Sequence, residues 1–91
     1  MKALENLRNE IDSIDRKILQ LLAERAKLAI AIGKTKQQID KNSDIYRPER
    51  EMEILERLKA LNDTPLKDKD VESIFRAIIS ANRSLQETEN R

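Results

Sequence analysis

Apolar side chains recur along the first third of this chain in steps of three and four: Leu4, Leu7, Ile11, Ile14, Ile18, Leu21, then Leu28 and Ile32. This is the heptad period of a helix packed along its length, and it predicts a first helix from about residue 4 to 39. Arg25 occupies the one seam position where an apolar residue is missing. The stretch Asp40-Lys41-Asn42-Ser43-Asp44 is a polar break rich in turn formers. Pro48 follows where a first-turn proline is tolerated, with Glu49 and Glu51 suited to a helix N-terminus. A second helix over 48–61 carries Met52, Leu55, Leu58 and Leu61, and Asn62-Asp63-Thr64-Pro65 ends it. A third, over about 67–87, turns Val71, Ile74, Phe75, Ile78, Ile79 and Leu85 inward. The prediction is a single all-α domain over 1–91, with one long helix and two shorter ones.

Length turns this pattern into an expectation about assembly. A helix of about 36 residues is roughly 54 Å long, whereas a compact chain of this size has a diameter of roughly 32 Å. The two shorter helices cannot cover the whole seam. A second copy related by a two-fold axis is the commonest solution, so the expected state is an intertwined homodimer with its long helices packed together.

Composition excludes several kinds of chemistry. The chain of 91 residues holds no Cys and no His, which removes thiol nucleophiles, imidazole bases and the usual zinc sites. A net charge of +1 and 2% aromatics give neither the basic face nor the stacking surface that nucleic acid requires. No apolar run reaches membrane length, and MKALENLRNE lacks the hydrophobic stretch of a signal peptide. The absence of Cys fits a reducing, cytoplasmic setting.

The polar residues on inward faces carry the remaining signal. Arg25 cannot lose its proton and is costly to bury without an anion, so a carboxylate of the protein or of a ligand is expected against it. Lys36, eleven residues on, projects from nearly the same face. Asn82 and Gln86 finish the stripe begun by Phe75 and Ile79, and Arg50 and Glu51 lie one turn before Ile54 and Leu55. Each has a plain alternative. Arg25 would serve as a register device if a Glu faced it, Lys36 and Arg50 as solvated charges, and the two amides as the point where helix three meets water. Gly33 in a helix interior costs about 1 kcal/mol against Ala, most often for close packing. Together, three cations, one carboxylate and two amides describe a pocket for a small polyanion. Arg8 flanks the seam about 26 Å from Arg25 along the same helix. The two meet at one small molecule only if Arg8 comes from an antiparallel partner.

Five segments in order, Leu7 to Asp15, Leu22 to Arg25, Gly33 to Lys36, Tyr46-Arg47-Pro48-Glu49-Arg50-Glu51, and Ser80 to Gln86, resemble the all-helical chorismate mutases over essentially the whole chain. The likeness is greatest to the mutase domain at the N-terminus of bifunctional mutase–prephenate dehydratases. It implies a three-helix homodimer with two shared sites, no cofactor and no metal, acting on chorismate in the phenylalanine and tyrosine route. By matching position, Arg25 and Arg8 of the partner subunit would bind the substrate carboxylates. Lys36 would bind a carboxylate and the ether oxygen, and Gln86 would donate to that oxygen. Glu51 would accept from the ring hydroxyl, with Arg50 and Asn82 lining the pocket. Arg47 departs from the family, which often has Asp there, so only a backbone contact is expected to survive.

The implied chemistry suits this inventory. An intramolecular [3,3] rearrangement needs no nucleophile or proton transfer, only a near-attack geometry and stabilisation of charge growing on the ether oxygen. Two rivals stay open. One is an isochorismate pyruvate-lyase of the same fold, against which Glu51 argues because such lyases tend to lack that carboxylate. The other is a non-catalytic helical dimer or adaptor, which pocket-free packing or a Glu salt-bridged to Arg25 would favour.

Overall fold

The computed structural model describes residues 1–40 and 47–89, so the expected break over 41–44 and Tyr46 lie outside the described residues. Three helices account for nearly all of the described chain: α1 (Lys2–Ile39), α2 (Pro48–Leu61) and α3 (Asp68–Glu89). Pro48 stands at the start of α2, where a missing N–H costs nothing. The α2–α3 turn is organised by Asn62, whose amide donates to Leu66 O at 2.9 Å and to Asp68 Oδ1 at 2.8 Å. Its Oδ1 accepts the Thr64 N–H at 3.1 Å. One side chain therefore ends one helix and positions the start of the next. Lys59 Nζ meets Glu72 Oε1 at 2.9 Å across the same corner. Glu72, with Glu56, raises the Lys59 pKa, while Lys59 and then Arg76 hold the Glu72 carboxyl below its usual range.

The chain is elongated, 58 × 26 × 15 Å with a radius of gyration of 16.6 Å. A compact chain of this length would have a radius near 12 Å; the difference is the length of α1. Helix α3 is the shared element. It packs against both α1 and α2, which do not pack on each other among the described residues.

The face of α1 that α3 covers is not the apolar seam. The buried positions are Ala29 and Gly33, with Leu22 and Ala26 half-buried beside them. Ala29 lies one residue past Leu28, about 100° further round the helix. Small residues here let the two helices approach closely, in keeping with the reading of Gly33. The seam residues Leu4, Leu7, Ile11, Ile14, Ile18, Leu21, Leu28 and Ile32 remain 48–65% exposed. The expectation that α2 and α3 would cover part of the seam is therefore corrected: within one chain they cover almost none of it. An exposed apolar stripe of this length, broken only at Arg25, is unusual on a monomer. Val71 and Ile79 are buried as expected, whereas Ile74, read as inward, is exposed in the single chain; of the apolar positions of α2, Leu55 is buried and Met52 and Leu61 are exposed. No helix among the described residues is long and apolar enough to cross a membrane.

Candidate active site

The helix periodicity that buries Ile79 in α3 also fixes what lies beside it. Residues 79, 82, 83 and 86 are spaced i, i+3, i+4 and i+7, so they share one face. That face forms the floor of a cleft of about 490 Å³ between α1 and α2. From α1 come Arg25, Leu28, Ala29, Ile32 and Lys36; from α2 and its N-cap come Arg47, Arg50, Glu51 and Ile54. Seven of the eight residues singled out in the sequence thus meet in one cleft. Arg8 does not line it, being exposed far along α1.

Arg25 bears on the adaptor reading left open above. Its guanidinium donates to Asn82 Oδ1, and no carboxylate among the described residues forms an ion pair with it. Asn82 is only 8% exposed, so its amide is a fixed acceptor. A neutral oxygen orients the guanidinium without cancelling its charge. Both observations named as favouring an adaptor, a facing Glu and the lack of a pocket, are absent among the described residues.

Gln86 donates from Nε2 to the Ala29 carbonyl at 2.8 Å. Only the NH₂ end of an amide can face a carbonyl, so this bond settles which end of Gln86 points toward α1. It also ties α3 to α1 beside the buried small residues. Lys36 lies half-buried in the last turn of α1, where a cation is favoured by the helix dipole. Along the opposite wall, Arg50 pairs with Glu53 at 2.9 Å on the exposed side of α2, an arrangement of little energetic weight. Arg47 is the N-cap of α2 and makes no side-chain capping bond, although its carbonyl accepts the Glu51 N–H at 3.1 Å. An Asp at that position would suit the cap better.

The residue missed in the sequence is Arg83. Its Nη1 donates to Glu51 Oε2 at 2.8 Å, with side chains 30% and 22% exposed. Its i+4 relation to Ile79 places it on the cleft face, a signal present in the sequence. An arginine beside polar neighbours near a helix end nevertheless reads as surface, because its long stem can carry the charge into water.

Residues 7–87 match the model of the family described as chorismate mutase type II. The chain is 48% identical over 73 residues to a bifunctional chorismate mutase/prephenate dehydratase of Neisseria gonorrhoeae, covering 80% of this chain and 19% of that protein. It therefore spans about a fifth of that bifunctional relative's length. A chorismate mutase of Methanocaldococcus jannaschii is 36% identical over 97 aligned positions, covering 100% of this chain and 96% of that one. Among solved structures, chorismate mutase from Helicobacter pylori in complex with prephenate superposes with a TM-score of 0.86 at 34% identity. That superposition covers 98% of this chain and 94% of the other.

Proposed function

The chain belongs to the chorismate mutase type II family, and from that premise we propose that it converts chorismate to prephenate, the precursor of phenylalanine and tyrosine, in the cleft between its helices. The observation that carries this reading is Arg25, a half-buried cation aimed by a neutral amide and paired with no carboxylate of the described chain. Such a group awaits an anion from outside, and the substrate is a dicarboxylate.

The reaction breaks a C–O bond and forms a C–C bond within one molecule, so the protein's work is geometric and electrostatic. Arg25 binds one carboxylate. Lys36 binds a carboxylate and the ether oxygen, and its bond to that oxygen strengthens in the transition state. Gln86 donates to the same oxygen, where negative charge develops as the bond lengthens. Glu51 accepts from the ring hydroxyl, while Arg50 and Asn82 line the cleft and Arg47 contributes its backbone. Leu28, Ile32, Ile54 and Ile79 supply apolar walls that strengthen each charge interaction by excluding water. Held in a chair by these contacts, the enolpyruvyl arm lies over the ring in a near-attack geometry.

The working form on this reading is a homodimer. Leu28 and Ile32 belong both to the exposed seam and to the cleft wall, so whatever covers the seam also closes the cleft. Antiparallel packing of two α1 helices brings Arg8 of the partner subunit toward Arg25, completing the carboxylate clamp. The test is an ultraviolet assay of chorismate loss with product identification by NMR. Prephenate is expected; pyruvate with a hydroxybenzoate, or no consumption of chorismate, would overturn the reading.

A further inference from the structure

A carboxylate inside a site for a dicarboxylate substrate is an electrostatic liability. Glu51 lines the same cleft as Arg25 and Lys36, and an uncompensated negative charge there would oppose the binding those cations provide. Arg83 answers that liability. It reaches across the cleft floor from α3 to Glu51 on α2 and forms a charge-assisted bond of 2.8 Å between two half-buried side chains. The bond engages Oε2, and a carboxylate keeps acceptor capacity on its second oxygen. Glu51 is thereby held in one orientation with its charge compensated.

The neighbouring residue does the complementary thing on the other wall. Asn82, adjacent in sequence, reaches α1 and orients Arg25 without neutralising it. Consecutive positions on α3 therefore treat the two walls in opposite ways. The α1 cation keeps its charge for the ligand; the α2 anion has its charge cancelled and keeps its hydrogen-bonding capacity.

We infer that Arg83 is a positioning residue for Glu51, which makes the carboxylate tolerable beside a dianionic substrate and aims it at the ring hydroxyl. This rests on the mutase reading. Arg83 acts through Glu51 and not as a further ligand of the substrate carboxylates.

A double-mutant cycle tests the assignment on the full chain, with kcat/KM for chorismate as the readout. Arg83→Met is expected to lower kcat/KM about tenfold in the presence of Glu51, a coupling typical of groups in direct contact. In a Glu51→Gln background, where no charge needs compensating, the same change is expected to cost less than about twofold, within the usual error of additivity. Arg83→Lys keeps the charge at shorter reach and should recover part of the loss. Thermal unfolding of every variant separates a folding defect from a site defect: a merely structural role would cost the same in both backgrounds. Equal losses in the two backgrounds, or no loss from Arg83→Met with Glu51 present, would overturn the inference while leaving the mutase reading intact. A parent chain that does not consume chorismate would fail the mutase reading itself and this inference with it.

Discussion

Ile14→Ala tests how much of this protein's stability lies between chains. If the partner's Arg8 approaches Arg25 in antiparallel α1 helices, the two-fold axis crosses α1 midway between residues 8 and 25, near residues 16 and 17. Ile14 then lies within one turn of the axis, on the seam face that a second copy would cover. Ile14 is 52% exposed in the single chain, so about half of its burial remains to be made by a second copy. Truncating a fully buried Ile to Ala costs about 2–5 kcal/mol. Roughly half of that, about 1–2.5 kcal/mol, would belong to the interface for each chain. Each dimer loses two such contacts, so association should weaken by about 2–5 kcal/mol, or roughly 30-fold to several thousand-fold in Kd. Sedimentation equilibrium over a dilution series measures this directly, and if each site draws on both chains, turnover per chain should fall at the same concentrations. A parent that sediments as an active monomer at micromolar concentration would refute the reasoning. So would an Ile14→Ala chain that associates as tightly as its parent.

The remaining predictions concern the site and its supports. Mixing inactive Arg8→Ala chains with inactive Arg25→Ala chains and refolding them together should restore turnover, because one composite site then holds both arginines; no recovery in a mixture that contains heterodimers would exclude shared sites. Lys36→Ala should lower kcat on the order of 100- to 1000-fold, as loss of an oxyanion donor does, and steady-state kinetics showing unchanged turnover would reject its role. Gln86→Glu should be nearly inactive at neutral pH and regain activity as the pH falls. An ionised carboxylate there would repel both the Ala29 carbonyl that Gln86 now bonds and the charge growing on the ether oxygen. A pH–rate profile in which this variant matches its parent at pH 8 would mean that Gln86 does not face the breaking bond. Lys59 and Arg76 hold the Glu72 carboxyl below its ordinary value of 4.5, so its contribution to stability is present above that value and is lost as the pH falls through the lowered one. Glu72→Gln should therefore lower Tm at pH 7 and leave it unchanged in strong acid, and an equal deficit at both would contradict the linkage.

The helices were legible in the sequence because each rests on local chemistry. Pro48 and the Asn62-to-Pro65 turn bound α2 at 48–61 in the sequence and at Pro48–Leu61 in the structure. The three-four spacing marks α1 without ambiguity, and the missing apolar residue at Arg25 singles out the side chain on which the functional reading turns. Periodicity reports which residues share a face, and for that reason it also groups Asn82 with Gln86. It does not report which neighbour the face meets.

That second question belongs to the tertiary structure. The seam is the most hydrophobic stripe of α1, yet α3 settles about 100° away on Ala29 and Gly33, where small side chains allow close approach. This choice leaves the seam exposed and places Arg25 and Lys36 at the border between a covered face and an open one. Arg25 could have met a Glu; the azimuth and register of α3 give it Asn82 instead. Those same two quantities carry Arg83 to Glu51, a pairing across 32 positions of sequence. Spacing along a chain specifies directions from one axis. Which charges remain for a ligand depends on where a second axis lies, and only packing sets that.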